Sequence, residues 1–409
     1  MVDAFTKIFF AMPLFIIALN FGLSLWFRLF KSKTLHKGDP SYEPRVSVLL
    51  PVYNEGAHVL ETINSIVNCD YPRDKLEIIA IDDKSKDDSF EWIKKAAAQN
   101  PELVQADQNP VNSGKHKTLS RALKKSKGEI VICIDSDCIF EPDVIRQLVM
   151  CFNDPQIGAV GGSVGITNVN QNAATAAQAM VYWLSFQVGK MLQNFNRKVM
   201  CISGCLFAVR RDLFEKIEPE VSERNWFGIS IRDGEDRYMT HQILMAGWKT
   251  YINPYAQCWT HAPDKIKDLF LQQVRWRRSG LRDFFWTFKR LKKHINVFGL
   301  IPLATVLIPE MFTIIWAFIL IGMFFFAPNI NSFMVSFLTF GMGYVVVALA
   351  YNQFMKTKGW HERVIKNIAV MPAVGVWHLV DAIFTTILAL FTFDNGTWGT
   401  RESTKEQPK

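Results

Sequence analysis

The sequence predicts an α/β domain with a mostly parallel sheet, inserted between transmembrane and interfacial helices. Three observations predict it. Between Ser41 and about Lys293, short β-branched runs alternate with helical stretches, the pattern of parallel strands covered on both faces. Each run ends in acidic or polar residues, and in open α/β sheets the ligand crevice lies beyond the carboxyl ends of the strands. Apolar segments gather at the N-terminus and after residue 297, bordered by lysine and arginine, as cytoplasmic membrane borders are.

Phe5 to Phe30 is an apolar run of about 26 residues closed by Lys31, long enough to span a bilayer with some tilt. It is too long for a signal peptide, and no small-residue cleavage site follows it. Residues 1–40 therefore read as an N-terminal transmembrane helix with a basic flank, and 41–263 as a globular catalytic domain. In that domain Val46 to Val52 stops at Tyr53-Asn54-Glu55-Gly56. Leu76 to Ile81 stops at Asp82-Asp83, and Glu129 to Ile134 at Asp135-Ser136-Asp137. Helical stretches such as His58 to Asn68 and Phe90 to Gln99 lie between, so three acidic strand ends point at one crevice.

Asp264 to Lys293 reads as a basic amphipathic helix. Leu269, Val274, Leu281, Phe284, Phe285 and Phe288 are its anchors, and Arg275, Arg277, Arg278, Arg282 and Lys289 its charges. Such a helix lies in a membrane interface, so 264–298 is assigned there; the alternative is a helix packed on the sheet. Residues 299–355 hold two spans, Gly299 to Ala327 and Phe333 to Phe354, with an uncharged link suited to the outer side. In 356–409, Ile368 to Phe393 is apolar but interrupted by Pro372, His378 and Asp381. A charge at the bilayer centre is costly, by about 2.5 kcal/mol or more, so this segment lies in the interface or lines a polar path. The tail from Glu402 reads as disordered.

The net charge is +8. Its carriers flank apolar segments (Arg28, Lys31, Lys33, Lys37; Lys289, Arg290, Lys292, Lys293; Lys356, Lys358) and no nucleic-acid motif appears, so nucleic acid is not an expected partner. None of the seven cysteines forms a CxxC pair, which argues against zinc and for reduced, mostly buried thiols.

Asp135-Ser136-Asp137 places two carboxylates at a strand end, where they can share Mg²⁺ or Mn²⁺ with a diphosphate and stabilise its departure. A carboxylate of Asp82-Asp83 can accept from a uracil or ribose, or cap a helix. In Asn112-Ser113-Gly114-Lys115, Gly114 permits a tight turn and Lys115 can reach a phosphate at a helix N-terminus. Gly234-Glu235-Asp236 opens a helix; Asp236 is the candidate general base and Glu235 the fallback. In Gln272-Gln273-Val274-Arg275-Trp276 the spacing puts Gln272 with Arg275 and Trp276 on one helix side. There Arg275 can hold a diphosphate and Trp276 can stack on an acceptor sugar. Trp398-Gly399-Thr400-Arg401 can close over a phosphate.

Taken in order, Pro51 to Glu55, Asp82-Asp83, Gly114-Lys115, Asp135 to Asp137, Gly234 to Asp236, Gln272-x-x-Arg275-Trp276 and Trp398 to Arg401 resemble the processive family 2 glycosyltransferases. Among these the chain is most similar to hyaluronan synthases and chitin or chitooligosaccharide synthases. The resemblance runs from about residue 46 to 401. It implies a GT-A fold, UDP contacts from Tyr53, Glu55, Asp82, Asp83, Asp135 and Arg401, and a diphosphate contact from Lys115, with Arg275 beside it. It implies metal binding by Asp137 with Asp135 supporting, and Asp236 as the base. Glu235, Gln272 and Trp276 would surround the acceptor over a floor containing Cys201, Ser203 and Gly204, where many members carry Gly-Gly or Gly-Thr. Trp398, Gly399 and Thr400 would gate the site. The implied partners are a UDP-sugar donor, a growing polysaccharide and membrane lipid. The implied location is the plasma membrane, multi-pass, with the catalytic domain cytosolic. A transferase that glycosylates a membrane lipid once, and a transporter with a soluble regulatory domain, are the rival readings.

Overall fold

The computed structural model describes residues 22, 38–226, 228–231, 233–289, 291–326, 342–343, 345–353 and 371–393. The N-terminal span expected at 5–30 except for residue 22, most of the span expected at 333–354, and the motif at 398–401 lie outside them.

Ten strands are described: β1 (Val46–Val52), β2 (Leu76–Asp82), β3 (Val104–Gln108), β4 (Ile130–Cys133), β5 (Cys138–Phe140), β6 (Ile157–Ile166), β7 (Phe207–Arg210), β8 (Asn225–Trp226), β9 (Ile229–Ser230) and β10 (Lys249–Thr260). Eight of them form one sheet in the order β3-β2-β1-β4-β7-β6-β10-β5. The first four are mutually parallel, as the acidic-ended runs predict. β7 runs antiparallel to both β4 and β6, and β5 antiparallel to β10. β1 is buried at every position, as a central strand covered on both faces must be.

Register brings the tips together. Val52 lies opposite Asp82, so β1 and β2 end level. Cys133 pairs with Phe207, so the antiparallel β7 begins where β4 ends. That places the Ser203–Cys205 approach beside Asp135. One face of the sheet packs α1 (His58–Val67) and α2 (Ser89–Gln99) through Val59, Ile63, Ile66 and Ile93. The other packs α3 (Lys115–Lys125) and α7 (Arg211–Ser222) through Leu119, Leu123, Leu213 and Ile217. Between them in sequence come α4 (Val144–Val149), α5 (Ala173–Trp183), a π-turn at Leu184–Gly189 and α6 (Lys190–Gln193). A π-turn inside a helix is a common mark of a functional site.

β6 is glycine-rich because its neighbours occupy the space a side chain would need. A Cβ at Gly165 would fall 2.1 Å from the Trp259 ring, and one at Gly162 would fall 2.2 Å from Leu206.

α8 (Glu235–Met245) precedes β10, and α9 (Ile266–Lys289) carries the Gln272–Trp276 motif. It is followed by α10 (Leu291–Phe298), α11 (Leu300–Phe326) and α12 (Met371–Phe391). In α9, Leu269, Val274, Leu281 and Phe284 are buried while Phe285 and Phe288 are exposed. Two of its polar residues depart from the expected charged face: Arg282 and Asp283 are buried, because each pairs with a charge from the catalytic domain. α12 runs unbroken through Pro372, His378 and Asp381. Proline is tolerated in a first helical turn, and Asp381 is buried against the protein. Of the described helices, Pro372–Phe391 is the one long and apolar enough to cross a membrane.

Candidate active site

The tips of the parallel strands are built from their own loops. Asp83 is buried, and its carboxylate organises the next loop. Ser113 N–H donates to its Oδ1 at 2.8 Å, Asn109 Nδ2 donates to the same oxygen at 2.7 Å, and Gly114 N–H donates to Oδ2 at 2.7 Å. Gly114 stands at φ 87°, a conformation that favours glycine, and it caps α3. Asp83 thus positions Lys115, the first residue of that helix. Asp82 Oδ2 accepts from Ser85 N–H and Gln108 Nε2, whereas its Oδ1 is buried with no donor among the described residues. Glu55 accepts from Ser136 Oγ at 2.9 Å, joining the tip of β1 to that of β4. Tyr53 sits half-buried on the same tip.

Lys115 is the centre of the site. Its Nζ lies 2.6 Å from Asp135 Oδ1 and 3.0 Å from Glu235 Oε1. Burial works against its charge, but the two carboxylates prevail and hold the ammonium well above the usual lysine range. A Cβ on Gly204 would meet Lys115 Nζ at 2.9 Å and Asp236 Cβ at 3.7 Å, so the Ser203–Cys205 segment passes between Lys115 and Asp236. Gly204 N–H donates to Asp236 Oδ2 at 3.1 Å, and Arg237 N–H donates to Oδ1 at 2.8 Å. Ile202 N–H donates to Thr240 Oγ1, fastening the floor to α8.

The adjacent carboxylates are driven apart. Burial alone would raise Glu235, but Lys115 brings it below the usual glutamate range. Burial, reinforced by the charge of Glu235, raises Asp236 above the usual aspartate range. Neighbouring carboxylates with separated affinities divide into distinct acid–base roles. Here Glu235 stays an ionised partner of Lys115, and Asp236 is the stronger base.

Asp135 Oδ2 accepts a weak bond from the Cys205 thiol at 3.3 Å, and Asp137 Oδ1 one from Cys138 at 3.6 Å. The described cysteines are all free thiols, and Cys201 is pushed up by burial and by Asp236. Among the described residues no three His, Cys, Asp or Glu side chains form a cage for a metal. Asp135 and Asp137 still fit Mg²⁺ or Mn²⁺, which are commonly held by one or two carboxylates and complete their shell with water and phosphate oxygens.

The helix motif reaches the same place through a residue the sequence did not single out. Trp276 packs against Tyr182 with ring centroids 5.9 Å apart at 50°. Burial raises the Tyr182 phenol, and Cys205, Asp137 and Asp135 push it further. Trp276 therefore borders the acidic tips by way of Tyr182, whose only sequence signal is a Tyr-Trp pair ending an alanine-rich helix. Gln272 Oε1 is buried without a donor among the described residues, and Arg275 lies half-buried on the same helix. Trp398, Gly399, Thr400 and Arg401 are outside the described residues. The chain leading toward them is held by α9, where Arg278 Nε donates to Thr392 Oγ1 at 2.9 Å.

Residues 44–279 match the family described as Glycosyltransferase like family 2. An N-acetylglucosaminyltransferase of Azorhizobium caulinodans is 31% identical over 257 residues, which is 62% of this chain and 64% of that protein. A hyaluronan synthase of Streptococcus pyogenes is 25% identical over 390 residues, 94% of this chain and 88% of that one. Among solved structures, a mannosyltransferase from Pyrobaculum calidifontis in complex with GDP-Man and Mn²⁺ aligns with TM-score 0.56 at 20% identity. The alignment covers 93% of this chain and 99% of that one. That likeness is one of fold, and it is the GT-A arrangement the sequence resemblance implies.

Proposed function

Because this chain belongs to glycosyltransferase-like family 2, we propose that it is an inverting, processive glycosyltransferase embedded in the plasma membrane. It polymerises a β-linked polysaccharide from UDP-N-acetylglucosamine, alone or with UDP-glucuronate, and passes the product across the membrane. The observation that carries the reading is the meeting of Lys115 with Asp135 and Glu235, with Asp236 across Gly204. A cation aimed at a leaving diphosphate and a base of raised affinity thereby share one pocket. The similarity to an N-acetylglucosaminyltransferase and to a hyaluronan synthase supports the choice of donors.

The reaction is one in-line displacement. The acceptor hydroxyl gives its proton to the Asp236 carboxylate as its oxygen attacks C1 of the sugar. The bond from C1 to the diphosphate breaks, and UDP leaves with the electron pair. One displacement on an α-linked donor produces a β-glycoside. Lys115 and Arg275 meet the charge that develops on the diphosphate, and fixed charges of this kind are usually the largest catalytic contribution. Arrival of the donor is then an exchange of partners, in which Lys115 turns from Asp135 toward phosphate. Asp137, with Asp135, would hold the Mg²⁺ or Mn²⁺ that neutralises the leaving group when bound; Mn²⁺ in the solved neighbour supports this. Tyr53, Glu55, Asp82 and Asp83 shape the nucleotide side. Cys201, Ser203, Gly204, Gln272 and Trp276 shape the acceptor side, and Trp398 to Arg401 close the site. Residues 1–40 and 299–355 supply the spans, and the site faces the cytosol. The apolar length of α12 makes a further crossing open to it.

The test is the purified chain in lipid nanodiscs, given UDP-N-acetylglucosamine, UDP-glucuronate and UDP-glucose singly and in pairs, with UDP release followed and product sized on a gel. Long product with UDP release is expected. A single sugar on lipid would replace this reading with the lipid-transferase one, and no UDP release from any donor would end it. Trp276→Ala should shorten the product; product of normal length would remove Trp276 from the acceptor site.

A further inference from the structure

We propose that Arg282 is a positioning residue that ties the loop bearing Glu235 and Asp236 to the chain leaving α12, so that docking of that chain and placement of the base are one event. The inference rests on the transferase reading above and concerns a part of the molecule that reading does not use.

The Arg282 side chain is 6% exposed and, among the described residues, reaches two distant parts of the chain. One arm pairs with Asp233 Oδ1, on a side chain that is 2% exposed. The other donates to the carbonyl oxygen of Phe393 at 2.8 Å. Both ends are held by further contacts. On the loop side, Arg224 donates to the carbonyl oxygens of Gly234, at 2.8 Å, and of Asp233. Gly234 is pressed onto α9: it stands at φ 69°, and a Cβ there would fall 1.9 Å from Ser279 Oγ. On the α12 side, Arg278 holds Thr392, and the Trp226 ring meets Phe393 edge-on at 6.4 Å.

The loop held in this way delivers the two residues at the centre of the site. Asp233 precedes Gly234, then Glu235 on Lys115 and Asp236 on Gly204 N–H. A guanidinium is planar and its donors diverge in fixed directions. A displacement of the Phe393 carbonyl is therefore passed to Asp233 instead of being absorbed by side-chain rotation. A lysine presents all its donors from one nitrogen, so it does not reproduce the two diverging arms that reach Asp233 and Phe393 from a single planar group. Buried ion pairs add little net stability compared with apolar side chains of the same volume; fixing one arrangement of the loop relative to the chain end is the role we assign to this one.

The experiment uses the full chain in nanodiscs with Arg282→Lys, which keeps the charge and removes the second arm. It measures kcat and donor KM for UDP release from UDP-N-acetylglucosamine, with amide hydrogen exchange at 233–236 and at 391–393. Exchange should rise at both places together, and kcat should fall by at least about tenfold while donor KM stays within about twofold. Faster exchange at one place only, or an unchanged kcat, overturns the proposal. So does a loss spread over the whole exchange map with kcat and KM changed alike. If Arg282→Lys fails to fold, Asp233→Asn, which keeps an acceptor oxygen and the side-chain shape, must produce the same paired rise; failure of both to fold makes the pair structural and also overturns it. A wild-type chain that releases no UDP sinks the transferase reading, while the paired exchange still decides whether the two segments are tied.

Discussion

Replacing Lys115 with methionine removes the cation that touches both acidic partners of the site while roughly preserving side-chain volume. Three consequences follow from the geometry. Lys115, Asp135 and Glu235 are 15%, 28% and 11% exposed at 2.6 and 3.0 Å separations. Breaking such a pair by deleting one member costs about 3–5 kcal/mol, and water reaching Asp135 places the cost at the low end, about 3 kcal/mol. On the role proposed for Lys115, the diphosphate then loses a charge-assisted hydrogen bond worth about 1.5–3 kcal/mol, or roughly ten- to a hundredfold in kcat/KM. The third consequence is a change of pH dependence. Lys115 holds Glu235 down and also lowers Asp236 against the burial that raises it. Without the ammonium both carboxyls bind protons more tightly. The base acts only when ionised, so activity falls as pH drops through its pKa, and a higher pKa moves that acid limb to higher pH. The variant should therefore lose most at mildly acidic pH and recover part of its activity in alkaline buffer. The assay is UDP release across a pH series at saturating and limiting donor. An acid limb that stays in place, with kcat/KM unchanged, would refute the central position assigned to Lys115.

Asp137→Ala should reduce UDP release to background with either Mg²⁺ or Mn²⁺; turnover that persists with the wild-type dependence on metal concentration would show that the metal sits elsewhere. Asp236→Asn should retain UDP-sugar binding, measured by calorimetry, and lose about 10²–10⁴ in kcat; lost binding would mark Asp236 as structural. His241 stacks on Trp286 at 5.6 Å between α8 and α9, and burial, aided by Arg237, depresses its pKa from 6.5 to about 3. Its contribution is therefore fully present above the unfolded pKa and lost as pH falls toward the folded one, by about 1.4 kcal/mol per unit. His241→Phe should flatten the acid side of a stability–pH curve, and an unchanged slope would exclude His241 as its source.

What could be read from the chain was what the chain keeps local. β1, β2 and β4 are short runs dominated by Val, Ile and Leu because both faces are covered, and their acidic or polar tips follow directly in sequence. β6 and β10 were not legible in the same way. β6 is interrupted by glycines, and β10 carries Asn253-Pro254-Tyr255 where its register with β6 slips between Ile252 and Gln257; glycine and proline both lower strand propensity. In the site, Lys115, Asp135, Glu235 and Asp236 announce themselves in short motifs. Tyr182 and Arg282 do not, because their meaning arises only where α5 and α9 meet distant loops. Arg282 in particular reads as one more solvated charge on its helix until Asp233 closes on it.

The bare strand β6 also bears on how this sequence can change. Most sheets tolerate an added methyl group by letting a neighbour turn aside, but the space here is taken by an indole ring, a leucine and the adjoining backbone. The strand works like a shim of minimum thickness between the layer that carries Leu206 and the strand that carries Trp259. Even alanine at Gly162 or Gly165 would wedge those layers apart, and the Ser203–Cys205 floor, joined directly to Leu206, would shift with them. Drift in this family member should therefore leave those two positions almost untouched while the surface of the same sheet varies freely.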